Sequence, residues 1–137
     1  MSFRFQQFTV EDSHSTLRIG TDTMLLGSWA NPRNAKTILD IGTGCGVLAL
    51  MMAQNADATI NAIETDEPSV VEAQLNFLQS PWPDRLKAIQ TSLQEFSSCT
   101  SHKYDFIISN PPYFSHALKS PLARKNHARH DEKLSLT

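Results

Sequence analysis

Two stretches carry residue types at spacings that could do chemistry: Asp40-Ile41-Gly42-Thr43-Gly44-Cys45-Gly46 and Ser109-Asn110-Pro111-Pro112-Tyr113. In the second, consecutive prolines stiffen the turn and remove two backbone donors. What remains is a set of acceptors, the Asn110 side-chain oxygen and the Pro111 carbonyl. Such a pair suits a conjugated, weakly nucleophilic amine. Held by its N–H bonds, the amine would pyramidalise and aim its lone pair at an electrophilic methyl group. Tyr113 could stack on a flat base, a contact worth roughly 1–3 kcal/mol in nucleic-acid binders. No strong base is required, because positioning supplies much of the catalysis in such a transfer. A base inside a structured nucleic acid would have to be rotated out to reach the site. The competing reading is a proline-rich strand exit with a surface aromatic.

The first stretch is a glycine-rich turn, where glycines permit positive φ angles and close approach of a ligand to backbone. A dinucleotide fingerprint needs G-x-G-x-x-G, but here position 47 is Val and the pattern is G-x-G-x-G after Asp40. That favours S-adenosylmethionine, which has no pyrophosphate to place at a helix N-terminus. Glu64, 24 residues after Asp40, stands where a carboxylate could accept both ribose hydroxyls. The plainer alternative is that Glu64 and Asp66 only cap the next helix; Asp66 or Glu67 suits that task.

These motifs need elements to hold them. Thr37-Ile38-Leu39-Asp40-Ile41 reads as a buried strand, Val47 to Asn55 as a helix, and Thr59 to Glu64 as a second strand. Asp66-Glu67-Pro68 opens a helix, with proline and acids favourable in its first turn. Val70, Val71, Leu75 and Leu78 are expected to form its apolar face, up to Ser80-Pro81. Leu86 to Gln90 is a third strand, residues 93–97 a turn of helix, and Tyr104 to Ser109 a fourth strand. Strands alternating with helices imply a parallel sheet with helices on its faces. Before this unit, Phe3 to Val10 and Thr16 to Ile19 are expected to pair as a hairpin through Glu11-Asp12-Ser13-His14-Ser15. Thr21 or Asp22 then caps a short helix through Met24, Leu25, Leu26 and Trp29, ending by Asn31-Pro32. Four such strands would leave the fourth as an open edge, and another helix is expected to begin at Leu134-Ser135-Leu136-Thr137. The sequence is therefore expected to be a C-terminally truncated piece.

The totals narrow the class. At 137 residues, 40% hydrophobic and 19% charged, the chain suits one modest core rather than wholesale disorder. Two cysteines, Cys45 and Cys99, are too few for a disulfide framework and suit no metal. Both read as inert, and the His127/His130 pair lacks further ligands. A polar start and a longest apolar run of only Val47 to Ala53 exclude a signal peptide and a membrane span. The expectation is a soluble, cytoplasmic protein without metal, membrane or obligate protein partner. The net charge of −2 argues against a uniformly basic nucleic-acid binder, but its distribution is uneven. Residues 1–113 hold seven Lys/Arg against twelve Asp/Glu, whereas residues 114–137 hold five against two. Those five, Lys119, Arg124, Lys125, Arg129 and Lys133, could steer a polyanion toward the adjacent motif, or form a solvated loop. Trp82, between Pro81 and Pro83, reads as a lid on a helix end.

The glycine turn and Asn110-Pro111-Pro112-Tyr113 resemble the cofactor and substrate motifs of class I amino-methyltransferases. Phe5-Gln6-Gln7-Phe8, Gly20-Thr21-Asp22 with Leu25-Leu26-Gly27-Ser28-Trp29-Ala30, Gln79-Ser80-Pro81-Trp82, Ile107 to Tyr113 and Ala128-Arg129-His130 are similar to the bacterial valine-tRNA adenine-N6 methyltransferases. The resemblance runs through nearly the whole chain. It implies a Rossmann-like α/β fold with a doubly wound, mostly parallel sheet. Residues 1–35 would be a hairpin and helix extension, and residues 36–137 the first part of the catalytic domain. It implies S-adenosylmethionine as cofactor, bound by Thr21, Asp22, Asp40, Gly42, Gly44, Glu64, Ser92 and Asn110. Asn110, Pro111 and Tyr113 would be catalytic, and Lys119, Arg124, Lys125 and Arg129 would contact tRNA, whose adenine beside the anticodon is the expected target. Ser92 departs from the family, which carries an acid there for the cofactor's adenine amine; Glu95 or a backbone amide near Leu93 could substitute. Family chains also continue past Thr137. The same acceptors would suit a protein glutamine-N5 methyltransferase, and a cofactor-binding or dinucleotide-binding module without activity is the remaining alternative.

Overall fold

A computed structural model describes residues 2–13 and 19–110. The chain opens with a tight hairpin, β1 (Ser2–Arg4) against β2 (Thr9–Glu11), antiparallel with Phe3 opposite Val10. The expected strand from Phe3 to Val10 is therefore itself the hairpin. The Phe5 N–H donates to the Phe8 carbonyl at 2.7 Å and the two rings stack 4.5 Å apart. Stacking across Gln6-Gln7 closes the turn inside a stretch whose alternation resembles one strand. Of the expected partner strand from Thr16, residues 16–18 lie outside the described residues. Helix α1 (Thr21–Trp29) follows with Gly20 in extended conformation at its N-cap and no side-chain cap. Neither Thr21 nor Asp22 caps it; both are already inside the helix.

The main sheet holds β3 (Thr37–Ile41), β4 (Thr59–Glu64), β5 (Leu86–Gln90) and β6 (Phe106–Ser109) in the order β5-β4-β3-β6, all parallel. Between them run α2 (Val47–Asn55), α3 (Glu67–Gln79) and α4 (Leu93–Cys99). The α4 helix is longer than the expected turn, because Ser92 caps its N-terminus: the Ser92 hydroxyl accepts from the Glu95 N–H at 3.1 Å. The fourth strand starts two residues later than expected. Tyr104 instead turns its hydroxyl to accept from the Asn61 amide at 2.7 Å, and Asp105 accepts from the Lys36 N–H at 2.7 Å.

Every residue from Val47 to Ala53 is buried. A helix apolar all round must be covered all round, and α1 packs over α2 so closely that a Cβ on Gly27 would lie 2.3 Å from the Met51 sulfur. Helix α3 corrects the sequence reading. Val70 is buried, but Val71, Leu75 and Leu78 are 48%, 52% and 70% exposed. Its inner face is Ser69, Val70, Glu72, Ala73, Asn76 and Phe77. Asn76 bonds the glycine turn and β2 on this face, and the Phe77 ring packs against Gly46, so the helix turns these residues inward and leaves its leucines outside. Hairpin, α1 and sheet share one core: Phe8, Val10 and Ala30 cluster with Ile38, Leu50, Met52 and Ile60. Trp82 packs against this core, edge-on to Phe8 at 5.9 Å, as the lid reading expects.

Candidate active site at the carboxyl edge of the sheet

From β3 the chain steps outward through β4 and β5, then returns to the other side of β3 as β6. That reversal opens a crevice at the carboxyl ends of β3 and β6, where ligands bind in open α/β sheets. The register puts Ile41 beside Ser109 and Ile63. Gly42 and Asn110 therefore leave neighbouring strands at the same level, about 4.8 Å apart by strand spacing. The Ser109 hydroxyl donates to the Ile41 carbonyl at 3.0 Å and holds the two exits together.

The glycine turn is bonded underneath and open above. Gly42 and Thr43 donate to the Ile63 carbonyl at 2.9 and 3.0 Å, and Gly46 donates to the Thr43 carbonyl at 2.9 Å. Gly42, Gly44 and Gly46 take φ of 71°, 58° and 93°, the left-handed region that side chains avoid. Their surroundings separate their duties. A Cβ on Gly42 or Gly44 would meet nothing within 4 Å, whereas one on Gly46 would lie 2.6 Å from the Phe77 ring. Gly46 serves the packing of α2 on α3. Gly42 and Gly44 keep bare backbone facing open space, as a ligand lying over the turn requires.

Glu64 reaches this turn from the end of β4. One carboxylate oxygen accepts from the Gly44 N–H at 3.0 Å and the other from the Asp66 N–H at 3.0 Å. Asp66 is the cap of α3, accepting from the Ser69 N–H at 3.2 Å. Asp66 thus caps the helix, while Glu64 ties the end of β4 to the glycine turn and keeps further lone pairs. Asp40 is wholly buried below the turn. Its Oδ2 accepts from the Thr43 hydroxyl at 2.7 Å, while Oδ1 has no partner. Burial pushes the Asp40 carboxyl up to about 7; the Thr43 hydroxyl opposes this, the Glu64 charge adds to it, and the Ala49 backbone N–H opposes it in smaller measure. An unpaired buried carboxylate oxygen is costly, and a cationic group brought to the turn would relieve it. Open space over two glycines, a carboxylate beside them and an orphaned acid beneath fit a ligand with a ribose and an ammonium, as S-adenosylmethionine has.

Asn110 is half-buried at the exit of β6, and its amide nitrogen donates to the Thr23 hydroxyl of α1 at 2.7 Å. Thr23 is itself buried. Among the described residues no donor engages the Asn110 side-chain oxygen. Thr21 and Asp22 are exposed in the first turn of α1, directly before Thr23. Ser92 is half-buried beyond β5, its hydroxyl engaged in capping α4. Pro111, Tyr113, Lys119, Arg124, Lys125 and Arg129 lie outside the described residues. Two residues escaped the sequence reading. Thr23 stood in plain view beside Thr21-Asp22, and Asn76 carried the signal of an amide inside a helix, a position such residues do not favour. Cys45 is buried and its thiol is pushed up to about 12 by burial, which suits the inert role expected of it. Among the described residues no group of three or more His, Cys, Asp or Glu could hold a metal, and no helix is long and apolar enough to cross a membrane.

The architecture is that of the class I methyltransferases. A methyltransferase from Agrobacterium tumefaciens described as SAM-dependent superposes with a TM-score of 0.65 at 14% identity, over 81% of this chain and 39% of that one. TrmK of M. capricolum, solved with S-adenosyl-homocysteine, gives 0.57 at 17% identity over 68% and 41%. Residues 9–128 match the methyltransferase small domain, and the chain belongs to that family. A protein of Parabacteroides distasonis named tRNA1(Val) (adenine(37)-N6)-methyltransferase is 45% identical over 98% of this chain and 56% of its own length. Relatives of the same name from Phocaeicola vulgatus and a Shewanella species are 46% and 42% identical, over 95% and 98% of this chain and 55% and 58% of theirs. The chain thus spans little more than half the length of these curated relatives.

Proposed function

We propose that this chain forms the cofactor and target-amine sites of an S-adenosylmethionine-dependent methyltransferase acting on the N6 amine of an adenine in tRNA, the adenine beside the anticodon of valine tRNA. The observation that carries the reading is the Asn110 amide, whose nitrogen is tied to Thr23 so that its oxygen is left as an acceptor beside the open glycine turn. The curated relatives' names supply the substrate class.

When bound, S-adenosylmethionine supplies an electrophilic methyl on a sulfonium whose sulfur leaves as a neutral thioether. Gly42 and Gly44 accommodate it against bare backbone, Glu64 accepts from its ribose hydroxyls, and the charge of Asp40, buried beneath the turn, attracts its ammonium. Thr21 and Asp22 border its methionine end. The remaining lone pair of the Ser92 hydroxyl is assigned to its adenine amine. Asn110 accepts one N–H of the target amine and the Pro111 carbonyl the other, which concentrates the nitrogen lone pair toward the methyl carbon. One N–H proton passes to solvent after the new N–C bond forms. The roles of Pro111, of Tyr113 as stacking partner, and of Lys119, Arg124, Lys125 and Arg129 in steering the polyanion rest on the sequence alone.

The test is transfer of labelled methyl groups to unmodified tRNA, with mass spectrometry of the nucleosides. N6-methyladenosine in valine tRNA is expected. Label only on the glutamine of a peptide-release factor would replace adenine by an amide as the substrate. Failure of S-adenosylhomocysteine to raise Tm would overturn the cofactor assignment itself.

A further inference from the structure

Asn76 sits in the middle of α3 with 1% of its surface exposed, and it has no place in the chemistry above. Its amide nitrogen donates to the Cys45 carbonyl at 2.8 Å and to the Glu11 carbonyl at 2.9 Å, while its oxygen accepts from the Glu11 N–H at 3.0 Å. Both donors are used, and the pattern permits one orientation only, since a reversed amide would set its oxygen against two carbonyls. An asparagine buried in a helix interior is unfavourable unless its bonds are made. These three bonds reach two places far apart in sequence. One is the strand β2 of the N-terminal hairpin. The other is the peptide between the two left-handed glycines Gly44 and Gly46, at φ of 58° and 93°.

We propose that Asn76 is a positioning residue for the cofactor loop, through which the N-terminal hairpin braces the floor of the glycine turn. The inference rests on the cofactor reading above and adds a part of the chain to that site. The turn's other anchors come from β3, from β4 or from the turn itself: Asp40 holds the Thr43 hydroxyl, Ile63 holds Gly42 and Thr43, and Glu64 holds Gly44. Asn76 supplies the anchor on the opposite side. By fixing the Cys45 carbonyl it fixes the rotation of the peptide that the flanking glycines, Gly44 and Gly46, would otherwise leave loose. The hairpin in turn holds Asn76, because Glu11 engages it through both backbone groups. The brace continues past the hairpin, where Asp12 accepts from the Ile19 N–H at 3.2 Å, immediately before α1.

The test compares Asn76→Ala with Val10→Ala, since Val10 is a wholly buried hairpin residue with no bond to the turn. Two readouts are taken on the full chain: S-adenosylhomocysteine affinity by calorimetry, and amide exchange at Gly44 and Gly46. Asn76→Ala is expected to weaken affinity about tenfold or more, the scale of leaving buried backbone groups unpaired, and to speed exchange at both glycines by a similar factor. Val10→Ala is expected to lower Tm while leaving affinity within about twofold and glycine exchange in step with the rest of the chain. Asn76→Ser, whose shorter hydroxyl can reach these groups only through a water, should fall between wild type and alanine and serves if the alanine variant does not fold. Unchanged glycine exchange in the Asn76 variants, or an equal effect from Val10→Ala, would overturn the brace. Should the wild-type chain bind no S-adenosylhomocysteine, the cofactor reading falls, and the exchange data still decide the brace.

Discussion

The Asn110 amide is held by the hydroxyl of Thr23, 87 residues earlier in the chain, at 2.7 Å. The contact ties the first turn of α1 to the exit of β6 and so gives the N-terminal helix a role at the site's edge. An asparagine amide can turn over, and its two ends would do opposite things to an approaching amine. With the nitrogen occupied, the oxygen is presented as an acceptor. Thr23 anchors the amide through its nitrogen end.

Thr23→Val should therefore act on turnover rather than on cofactor binding. Losing the hydroxyl leaves the Asn110 nitrogen unpaired and the amide free to rotate, a loss of about 1–3 kcal/mol. We expect kcat for methyl transfer to fall roughly ten- to a hundredfold, with S-adenosylhomocysteine affinity within about twofold of wild type. Thr23→Ser keeps the hydroxyl and should restore most of the rate. Equal loss of rate and affinity would mean that Thr23 only supports packing.

The glycines of the turn should separate by mechanism. Gly44→Ala places a Cβ in open space at a left-handed φ of 58°, so folding suffers only the backbone strain. That strain is about 1–2 kcal/mol, or several degrees in Tm, while the methyl group obstructs the ligand's place. Gly46→Ala drives a Cβ to within 2.6 Å of Phe77, deep between α2 and α3. It should lower Tm further yet cost less affinity per degree lost. Thermal melts with and without S-adenosylhomocysteine measure both quantities, and a common ratio for the two variants would contradict the division.

Glu64→Gln tests the ribose contact against the structural one. The carboxylate accepts from Gly44 and Asp66 on its two oxygens, and a glutamine would set its amide nitrogen against one of those N–H groups. Some loss of stability is thus expected whatever the ligand does. The informative comparison pairs S-adenosylhomocysteine with its 2′-deoxyribose analogue in a double cycle. Wild type should prefer the full ribose by about tenfold, and the variant should lose the preference. A preference that survives in Glu64→Gln would assign Glu64 to the turn alone.

What was legible in the sequence follows from which forces are local. The β3, α2, β4 and β5 segments fall where apolar runs, glycines and Asp66 place them, because strand burial and capping act within a few residues. The glycine turn and the carboxylate at the end of β4 were readable for the same reason. The face of α3 was not. Val71, Leu75 and Leu78 suggest an apolar stripe, but the face turned to the sheet, the glycine turn and β2 runs through Val70, Ala73, Asn76 and Phe77, which only three-dimensional packing reveals. Thr23 and Asn76 eluded the reading because their partners lie 87 and 65 residues away, and a polar residue in a helix does not announce which distant carbonyl or amide it will meet.

Asp40 makes the site's behaviour depend on pH in two linked ways. Its carboxyl is raised to about 7 by burial, with Glu64 adding to the shift, while the unfolded chain titrates near the ordinary value of about 3.9. Below about pH 4 both states are protonated and Asp40 costs nothing. Between there and 7 the folded state binds the extra proton, so stability falls as pH rises, and above 7 the full cost remains. Asp40→Asn should flatten the dependence of Tm on pH between 5 and 8. A ligand ammonium facing Asp40 would favour the charged carboxylate, so cofactor binding should release a proton. Affinity for S-adenosylhomocysteine should then rise with pH up to 7, by at most about tenfold per pH unit, and level off above it. In Asp40→Asn the rise should vanish. Calorimetry in two buffers of different ionisation enthalpy counts the proton directly. Binding to wild type at pH 6 without proton release would remove the ammonium from Asp40 and leave the acid a structural partner of Thr43.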